Sequence, residues 1–325
     1  MRVRRAETIF GFVGSNRMEI RKPLRGVITA MITPLSDRDT LDHAGLERLI
    51  EHLIAGGVHG LFILGTTGEA PGLSYRLRAE LIERTCKQVA DRLPVIVGIT
   101  DTAFVEAAKL ASKAGKFGAQ AVVTSAPYYF PASQVELLDY LQHLAAEVPL
   151  PLLLYNAPTN TRHTFQPSTV LRAADIPNVI GLKDSGGNMT YFHSVVELLK
   201  ERPDFTLLVG PEELMAEAVM LGAHGGMCGG SNFCPQLYVR LYDAAVARDL
   251  DQIRILHSRV MRISATIYRV RQPTESSYLK GLKCAVSLLG ICEDFMAEPF
   301  CAFGSAEREK VRKHMVAQGL LPGLD

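Results

Sequence analysis

Lys183 stands at the end of the apolar run Val179-Ile180-Gly181-Leu182 and is followed by Asp184-Ser185-Gly186-Gly187. A lysine carried by a buried strand to the edge of a cleft loses hydration, which disfavours its charged form. A fraction held as the neutral amine could attack a ketone carbon. Upstream, Leu152-Leu153-Leu154 carries Tyr155 to the same kind of position. A nucleophilic amine and a phenol at neighbouring strand ends point to Schiff-base chemistry with a proton shuttle. Each residue also has a plain structural reading. Lys183 could snorkel or pair with Asp184, and Tyr155 could cap a core strand with its hydroxyl on backbone.

The elements that must position these residues repeat along the chain. From Gly26 onward, short apolar runs alternate with longer amphipathic segments at a spacing of about 25 to 30 residues, the pattern of repeated βα units. The runs Gly26–Ile32, Gly60–Leu64, Val95–Ile99, Ala121–Thr124, Leu152–Tyr155, Val179–Lys183, Thr206–Gly210 and Gly225–Cys228 predict strands. They are apolar throughout rather than alternating, as parallel strands covered by helices are. Helices are predicted between them over Asp42–Ala55, Ser74–Asp91, Phe104–Ala114, Ser133–Glu147, Pro167–Ala174, Thr190–Arg202, Glu212–Leu221 and Pro235–Ala247. Ser74 and Ser133 suit N-caps, and Pro167 suits a first helical position. Eight strands favour a closed (β/α)8 TIM barrel over an open doubly wound sheet, whose glycine-rich first turn is absent at Thr33-Pro34-Leu35-Ser36. After Ala247 the alternation stops, and Leu250–Val270, Ser276–Leu289 and Ala306–Gln318 read as a helical appendage. The expected organisation is an extension over 1–23, a catalytic barrel over 24–247 and C-terminal helices over 248–325 packed on it.

In such a barrel, chemistry sits where strands end. The residues there include Gly65-Thr66-Thr67-Gly68-Glu69, Pro127-Tyr128-Tyr129, Tyr155-Asn156-Ala157-Pro158, Lys183-Asp184-Ser185, Gly210-Pro211-Glu212-Glu213 and Gly229-Gly230-Ser231-Asn232. Hydroxyls, phenols, glycines and one amine converge on one rim. The Gly65–Glu69 loop offers backbone N–H groups and two hydroxyls that could hold a carboxylate without a cation; a tight turn is its alternative reading. No Walker phosphate loop and no Gly-x-Ser-x-Gly nucleophile elbow is present.

Composition narrows the partners. The chain has 325 residues, 47% of them hydrophobic, and a formal net charge of +1. It lacks the basic footprint of a nucleic-acid or anionic-membrane binder, so small molecules and further subunits remain. Six cysteines without a CxxC pair read as free thiols in a reducing cytosol. Nine scattered histidines show no metal-ligand spacing, and no metal is expected. The stretch Ile9–Val13 is too short and polar for a secretory signal or a membrane span. Met18 is an alternative start, and an organellar transit peptide is the competing reading of the first residues.

Gly65-Thr66-Thr67-Gly68-Glu69, Pro127-Tyr128-Tyr129, Tyr155-Asn156-Ala157-Pro158 and Gly181-Leu182-Lys183-Asp184, in this order and spacing, resemble the dihydrodipicolinate synthase and N-acetylneuraminate lyase superfamily of pyruvate-dependent class I aldolases. The similarity runs from about Leu24 to the last helix. The resemblance implies that Lys183 forms an imine with pyruvate or another 2-oxo acid. It also implies that Tyr155 shuttles protons with the help of Thr66 and of Tyr129, the last from a neighbouring subunit. Thr67 would bind the pyruvate carboxylate, and Gly210 and Met227 would supply further wall. No cofactor beyond the covalent imine is implied, and a cytoplasmic homotetramer built as a dimer of dimers is expected.

The resemblance loosens at the second substrate. Where dihydrodipicolinate synthases carry an arginine for aspartate semialdehyde, this chain has Asn160; Arg162 lies two residues on and could substitute as a substrate-binding residue, although a rigid guanidinium clamp does not move easily. Pro158-Thr159-Asn160-Thr161 looks more like 4-hydroxy-2-oxoglutarate aldolases. Ala70-Pro71 and Thr102 differ from the lysine-binding positions of feedback-inhibited synthases, so lysine inhibition is not expected. Glu212 and Glu213 fall where sialic acid lyases place acids against sugar hydroxyls; alternatively they are first-turn acids on a helix dipole. The leading expectation is a lyase for a 2-oxo-3-deoxy or 4-hydroxy-2-oxo acid, yielding pyruvate and an aldehyde. A lysine-pathway synthase is the second, and a non-catalytic binding barrel the third.

Overall fold

The structure is a computed structural model that describes residues 18, 20–270 and 275–322. Most of the expected N-terminal extension and both readings of its origin lie outside the described residues, apart from Met18 and residues 20–23. Eight parallel strands close a barrel in the order β1-β10-β9-β8-β7-β6-β5-β4. They are β1 (Gly26–Ala30), β4 (Gly60–Ile63), β5 (Val95–Gly98), β6 (Ala121–Ser125), β7 (Leu152–Asn156), β8 (Val179–Asp184), β9 (Thr206–Val209) and β10 (Gly225–Cys228). The remaining two, β2 (Leu35–Asp37) and β3 (Thr40–Leu41), form a small antiparallel hairpin after β1 that the sequence reading missed, being too short to show a period.

Helices cover the barrel. They are α1 (His43–Ala55), α2 (Tyr75–Val89), α3 (Phe104–Phe117), α4 (Gln134–Glu147), α5 (Pro158–Thr161), α6 (Pro167–Ala173), α7 (Met189–Leu198), α8 (Met215–Met220) and α9 (Pro235–Ala247). Their starts follow local chemistry. Ser74 accepts a hydrogen bond from the Leu77 N–H, and Ser133 forms a reciprocal capping box with Glu136. The helix expected over Glu212–Leu221 is divided into a 3-10 turn, Glu212–Leu214, and α8. The single turn α5 occupies a stretch expected to be loop.

Side chains sort into two apolar layers. Ile28, Phe62, Ile96, Val123, Leu153, Tyr155 and Met227 fill the barrel interior, while Val27, Leu61, Val122, Leu152 and Leu154 pack outward beneath the helices. Strand alternation fixes this sorting. At β8 the alternation is broken: Leu152 pairs with Val179 but Leu153 pairs with Gly181, which leaves Ile180 as an extra residue. Ile180 lies in the inner cluster, yet Leu182, two residues on, lies in the outer one. The bulge has inverted the phase of the strand, and it is Lys183 that turns inward.

The C-terminal helices α10 (Leu250–Thr266), α11 (Glu275–Leu288) and α12 (Ser305–Ala317) are tied to the barrel through two buried carboxylates. Glu69 makes a 2.5 Å ion pair with Lys283 of α11, with side chains 2% and 1% exposed, and accepts a hydrogen bond from the Ala297 N–H. Burial pushes the Lys283 ammonium down from its ordinary pKa, against the charge of Glu69. Glu212 accepts hydrogen bonds from the Tyr238 and Tyr268 phenols at 2.5 and 2.6 Å and from the Gly230 N–H at 2.7 Å. Glu213 is held by the Ser264 hydroxyl at 2.5 Å. This corrects the reading of both acids as partners of a sugar: their carboxylates are spent on the C-terminal helices and on the β10 loop. Among the described residues, no helix is long and apolar enough to cross a membrane.

Lys283→Met leaves the Glu69 carboxylate buried without its cation and should cost about 3–5 kcal/mol in denaturant unfolding. The double variant Glu69→Gln/Lys283→Met should recover part of that loss, and an unchanged single variant would contradict the anchoring role. Burial and the charge of Glu213 push Glu212 up to about 7, against its three hydrogen bonds. With a folded pKa above the unfolded value, Glu212 supports stability fully at low pH, and that contribution fades as pH rises from about 4.5 through about 7. Tm measured across this window should therefore fall less steeply in Glu212→Gln than in the parent; parallel curves would refute the assignment.

Candidate active site

Lys183 is 4% exposed at the end of β8, beside Tyr155 in the register of β7. Its Nζ lies 4.1 Å from the centre of the Tyr155 ring and 4.9 Å from that of Phe62, so two aromatic faces receive the amine. It is not paired with Asp184. That carboxylate points the other way, accepting hydrogen bonds from Asn156 Nδ2 at 2.7 Å and the Gly186 N–H at 3.0 Å. Burial raises the Asp184 pKa.

Tyr155 carries its phenol to 3.4 Å from the Thr66 hydroxyl. Burial alone would raise its pKa, but the Lys183 charge and hydrogen bonds with Ser185, Thr66 and Lys183 outweigh that and bring it below the ordinary value. A phenol that releases its proton more readily than usual, in contact with an amine and a hydroxyl, is equipped for proton transfer. Ser185 was part of the predicted rim but was given no role there. Gly210, whose N–H donates to the Asp184 carbonyl at 2.7 Å, leaves the room Ser185 needs: a Cβ at Gly210 would lie 1.9 Å from the Ser185 hydroxyl oxygen.

Phe62, Tyr155 and Thr66 line a cavity of about 620 Å3; Lys183, Ser185 and Gly210 lie behind that lining rather than in it. Phe62 and Tyr155 line its inner end, Gly65 and Thr66 one side, and Thr100, Ser125 and Tyr128 another. The Gly65–Glu69 loop is bracketed by two residues in the left-handed region, Leu64 at φ 58° and Glu69 at φ 56°. A bulky leucine rarely adopts that conformation, which marks the loop as held by its surroundings. Asn160, on α5, lines the mouth, together with Thr159 and Thr161. Arg162 ends α5 in the left-handed conformation at φ 59°, exposed and outside the cavity. The suggestion that it could substitute for a carboxylate-binding arginine is thereby corrected.

The other predicted residues fall as follows. Thr67 is 7% exposed and is not among the residues that line the cavity. Met227 is buried in the barrel interior, in the same apolar cluster as Tyr155, and does not line the cavity. Tyr129 is 76% exposed and stacks edge-on against Phe130 rather than lining the cavity of its own chain. Glu212 and Glu213 do not line the cavity. What sequence reasoning missed is the roof: Ser276, Tyr278 and Leu279 of α11 and the segment Ala297–Phe300 cover the rim. Rim logic reads only the loops that follow strands, and no signal in the linear sequence brings α11 back over them. The charged residues among the described lining are Glu69, paired with Lys283, and Glu298, paired with Arg38 at 2.7 Å. The six cysteines are free and five are buried. Among the described residues no three His, Cys, Asp or Glu side chains come together as metal ligands.

Comparison with known proteins agrees with this geometry. The pattern of the dihydrodipicolinate synthetase family matches residues 23–318. A solved dihydrodipicolinate synthase from Bacteroides thetaiotaomicron is 55% identical, with a TM-score of 0.89, over 92% of this chain and all of that one. The 4-hydroxy-tetrahydrodipicolinate synthase of Aromatoleum aromaticum is 32% identical over 91% of this chain and 99% of its own length. A probable 2-dehydro-3-deoxy-D-pentonate aldolase of Escherichia coli is 31% identical over 93% and 99%. The chain belongs to the dihydrodipicolinate synthase family of lyases.

Proposed function

We propose that the protein is a Schiff-base aldolase that reversibly joins pyruvate to an aldehyde, acting on a 2-oxo-3-deoxy or 4-hydroxy-2-oxo acid. The observation that carries the chemistry is the Lys183 amine, 4.1 Å from the ring of Tyr155, whose phenol reaches the Thr66 hydroxyl. The amine adds to the keto carbon of the substrate, and water leaves as the imine forms. The imine then accepts the electron pair released when a proton at C3 or the C3–C4 bond is lost. Tyr155 moves the protons, passing them through Thr66. Thr67 and the amides of its loop receive the carboxylate. This sequence of steps requires no metal or organic cofactor.

The second substrate is read from the mouth. Thr159, Asn160 and Ser276 are among its polar lining residues, and the described lining contains no arginine. Such a surface suits the hydroxyls of a neutral, sugar-like aldehyde better than a second carboxylate, which a guanidinium would clamp. Tyr129, exposed in its own chain, would serve a neighbouring copy in a homotetramer built as a dimer of dimers. Cytoplasmic residence fits the free cysteines. Condensation of pyruvate with aspartate semialdehyde is the second reading, favoured by the names of the relatives at 55% and 32% identity.

Reduction with borohydride in the presence of pyruvate should add one pyruvate-derived mass to the parent protein and none to Lys183→Ala. Absence of the adduct in the parent would sink the mechanism. Tyr155→Phe keeps the ring against Lys183 and should lower turnover by roughly a hundred- to ten-thousand-fold. Pyruvate release from a panel of 2-oxo-3-deoxy and 4-hydroxy-2-oxo acids should exceed pyruvate consumption with aspartate semialdehyde. The reverse ranking would establish the second reading.

A further inference from the structure

Each of the two strand ends that carry the chemistry ends on a second polar residue that the imine steps do not use. Asn156 follows Tyr155 on β7, and Asp184 follows Lys183 on β8. In the parallel register Tyr155 lies opposite Lys183, and Asn156 lies opposite Asp184. Successive side chains of a strand face opposite ways. The inward pair is therefore backed by an outward pair, both members of which are 1% exposed.

The outward pair is bonded across the two strands. Asn156 Nδ2 donates to Asp184 Oδ1 at 2.7 Å, and the Gly186 N–H donates to the same oxygen at 3.0 Å. The direction of the Asn156 amide is set from its other side. Its Oδ1 accepts the Phe165 N–H at 3.1 Å, and the Phe165 carbonyl accepts the Tyr191 phenol at 2.8 Å. With its oxygen so engaged, the amide turns its NH2 group to Asp184. The Ser185 N–H, donating to the Asn156 carbonyl at 2.8 Å, continues the ladder past the pair.

This bond distinguishes the two phases that β8 could adopt. Val179-Ile180-Gly181-Leu182 is apolar on both faces, so burial alone accepts either one. A slip of one residue would turn Asp184 into the barrel and Lys183 out beneath the helices. Asn156 would then lose its acceptor, and a buried amide and a buried carboxylate would both need new partners. We infer that Asn156 and Asp184 are positioning residues for the imine: their hydrogen bond on the outer face locks the β7–β8 register that holds the Lys183 amine beside the Tyr155 phenol. Neither residue lines the cavity, and the role rests on the imine chemistry proposed above.

The test is the rate of borohydride trapping as a function of pyruvate. Asn156→Leu removes the donor at similar volume, and its limiting rate should fall about a hundredfold, the size expected when reacting groups are misplaced by an ångström. The half-saturating pyruvate concentration should stay within about threefold of the parent, because the loss falls on the reacting amine rather than on binding. Asn156→Asp sets two carboxyl groups against each other and serves as the probe if Asn156→Leu fails to fold. At low pH the two share a proton and keep the bond, and as pH rises both ionise and repel. Its trapping rate relative to the parent should therefore fall with rising pH. The exchange Asn156→Asp/Asp184→Asn restores one donor facing one acceptor and should remove that pH dependence. A parent-like limiting rate in Asn156→Leu, or a loss carried by the half-saturating concentration instead, would overturn the positioning role while leaving the imine intact. So would a relative rate in Asn156→Asp that does not change with pH, or a pH dependence that persists in the exchange. Failure of the parent to trap pyruvate would instead remove the imine reading, and this role with it.

Discussion

Lys183 brings a primary amine into the interior of a parallel barrel with 4% of its surface exposed, where a charge cannot rest on water and must be met by the groups around it. Those groups are the ring faces of Phe62 and Tyr155 and the hydroxyls that Tyr155 gathers. The strand imposes this position, and it sets the amine beside the phenol and hydroxyl that proton transfer at a carbonyl carbon needs.

The imposition depends on one extra residue. With Ile180 inside, regular alternation would send Leu182 inward and Lys183 out beneath the helices. The irregular pairing of β7 with β8 inverts that phase, bringing Lys183 in and leaving Asp184 to Asn156 and the Gly186 N–H outside. Around this centre, loop and helix are interlocked. Glu69 ends the loop that supplies Thr66 and Thr67, and it is also the buried counter-ion that holds α11 through Lys283. The helix so anchored brings Tyr278 to the wall of the cavity that this loop also lines. Stability of the C-terminal helices and geometry of the binding site thus share their supports, and a change in one carries into the other.

Much of this was legible in the sequence because the barrel repeats. Eight apolar runs at even spacing gave the strands to within two residues at most ends, and Lys183, Tyr155 and Thr66 were found because each ends a strand or opens the loop behind it. The bulge was not legible: Val179-Ile180-Gly181-Leu182 is apolar on both faces, so no period reveals a change of phase. Glu212 and Glu213 were misplaced for a related reason. Their position after β9 put them on the rim, but the tyrosines and serine that claim them lie 26 to 56 residues away in sequence. Arg162 was offered as a clamp on spacing alone, and the turn of α5 decides otherwise by sending Asn160 to the mouth and Arg162 to solvent.

The most direct measurement is a crystal structure of the protein after pyruvate treatment and borohydride reduction. The account predicts continuous density from Lys183 Nζ to C2 of the former pyruvate, flanked by the Tyr155 phenol, with the carboxylate against Thr67. Reduced adduct on another lysine, or pyruvate in the cavity with the Lys183 amine unmodified, would contradict it.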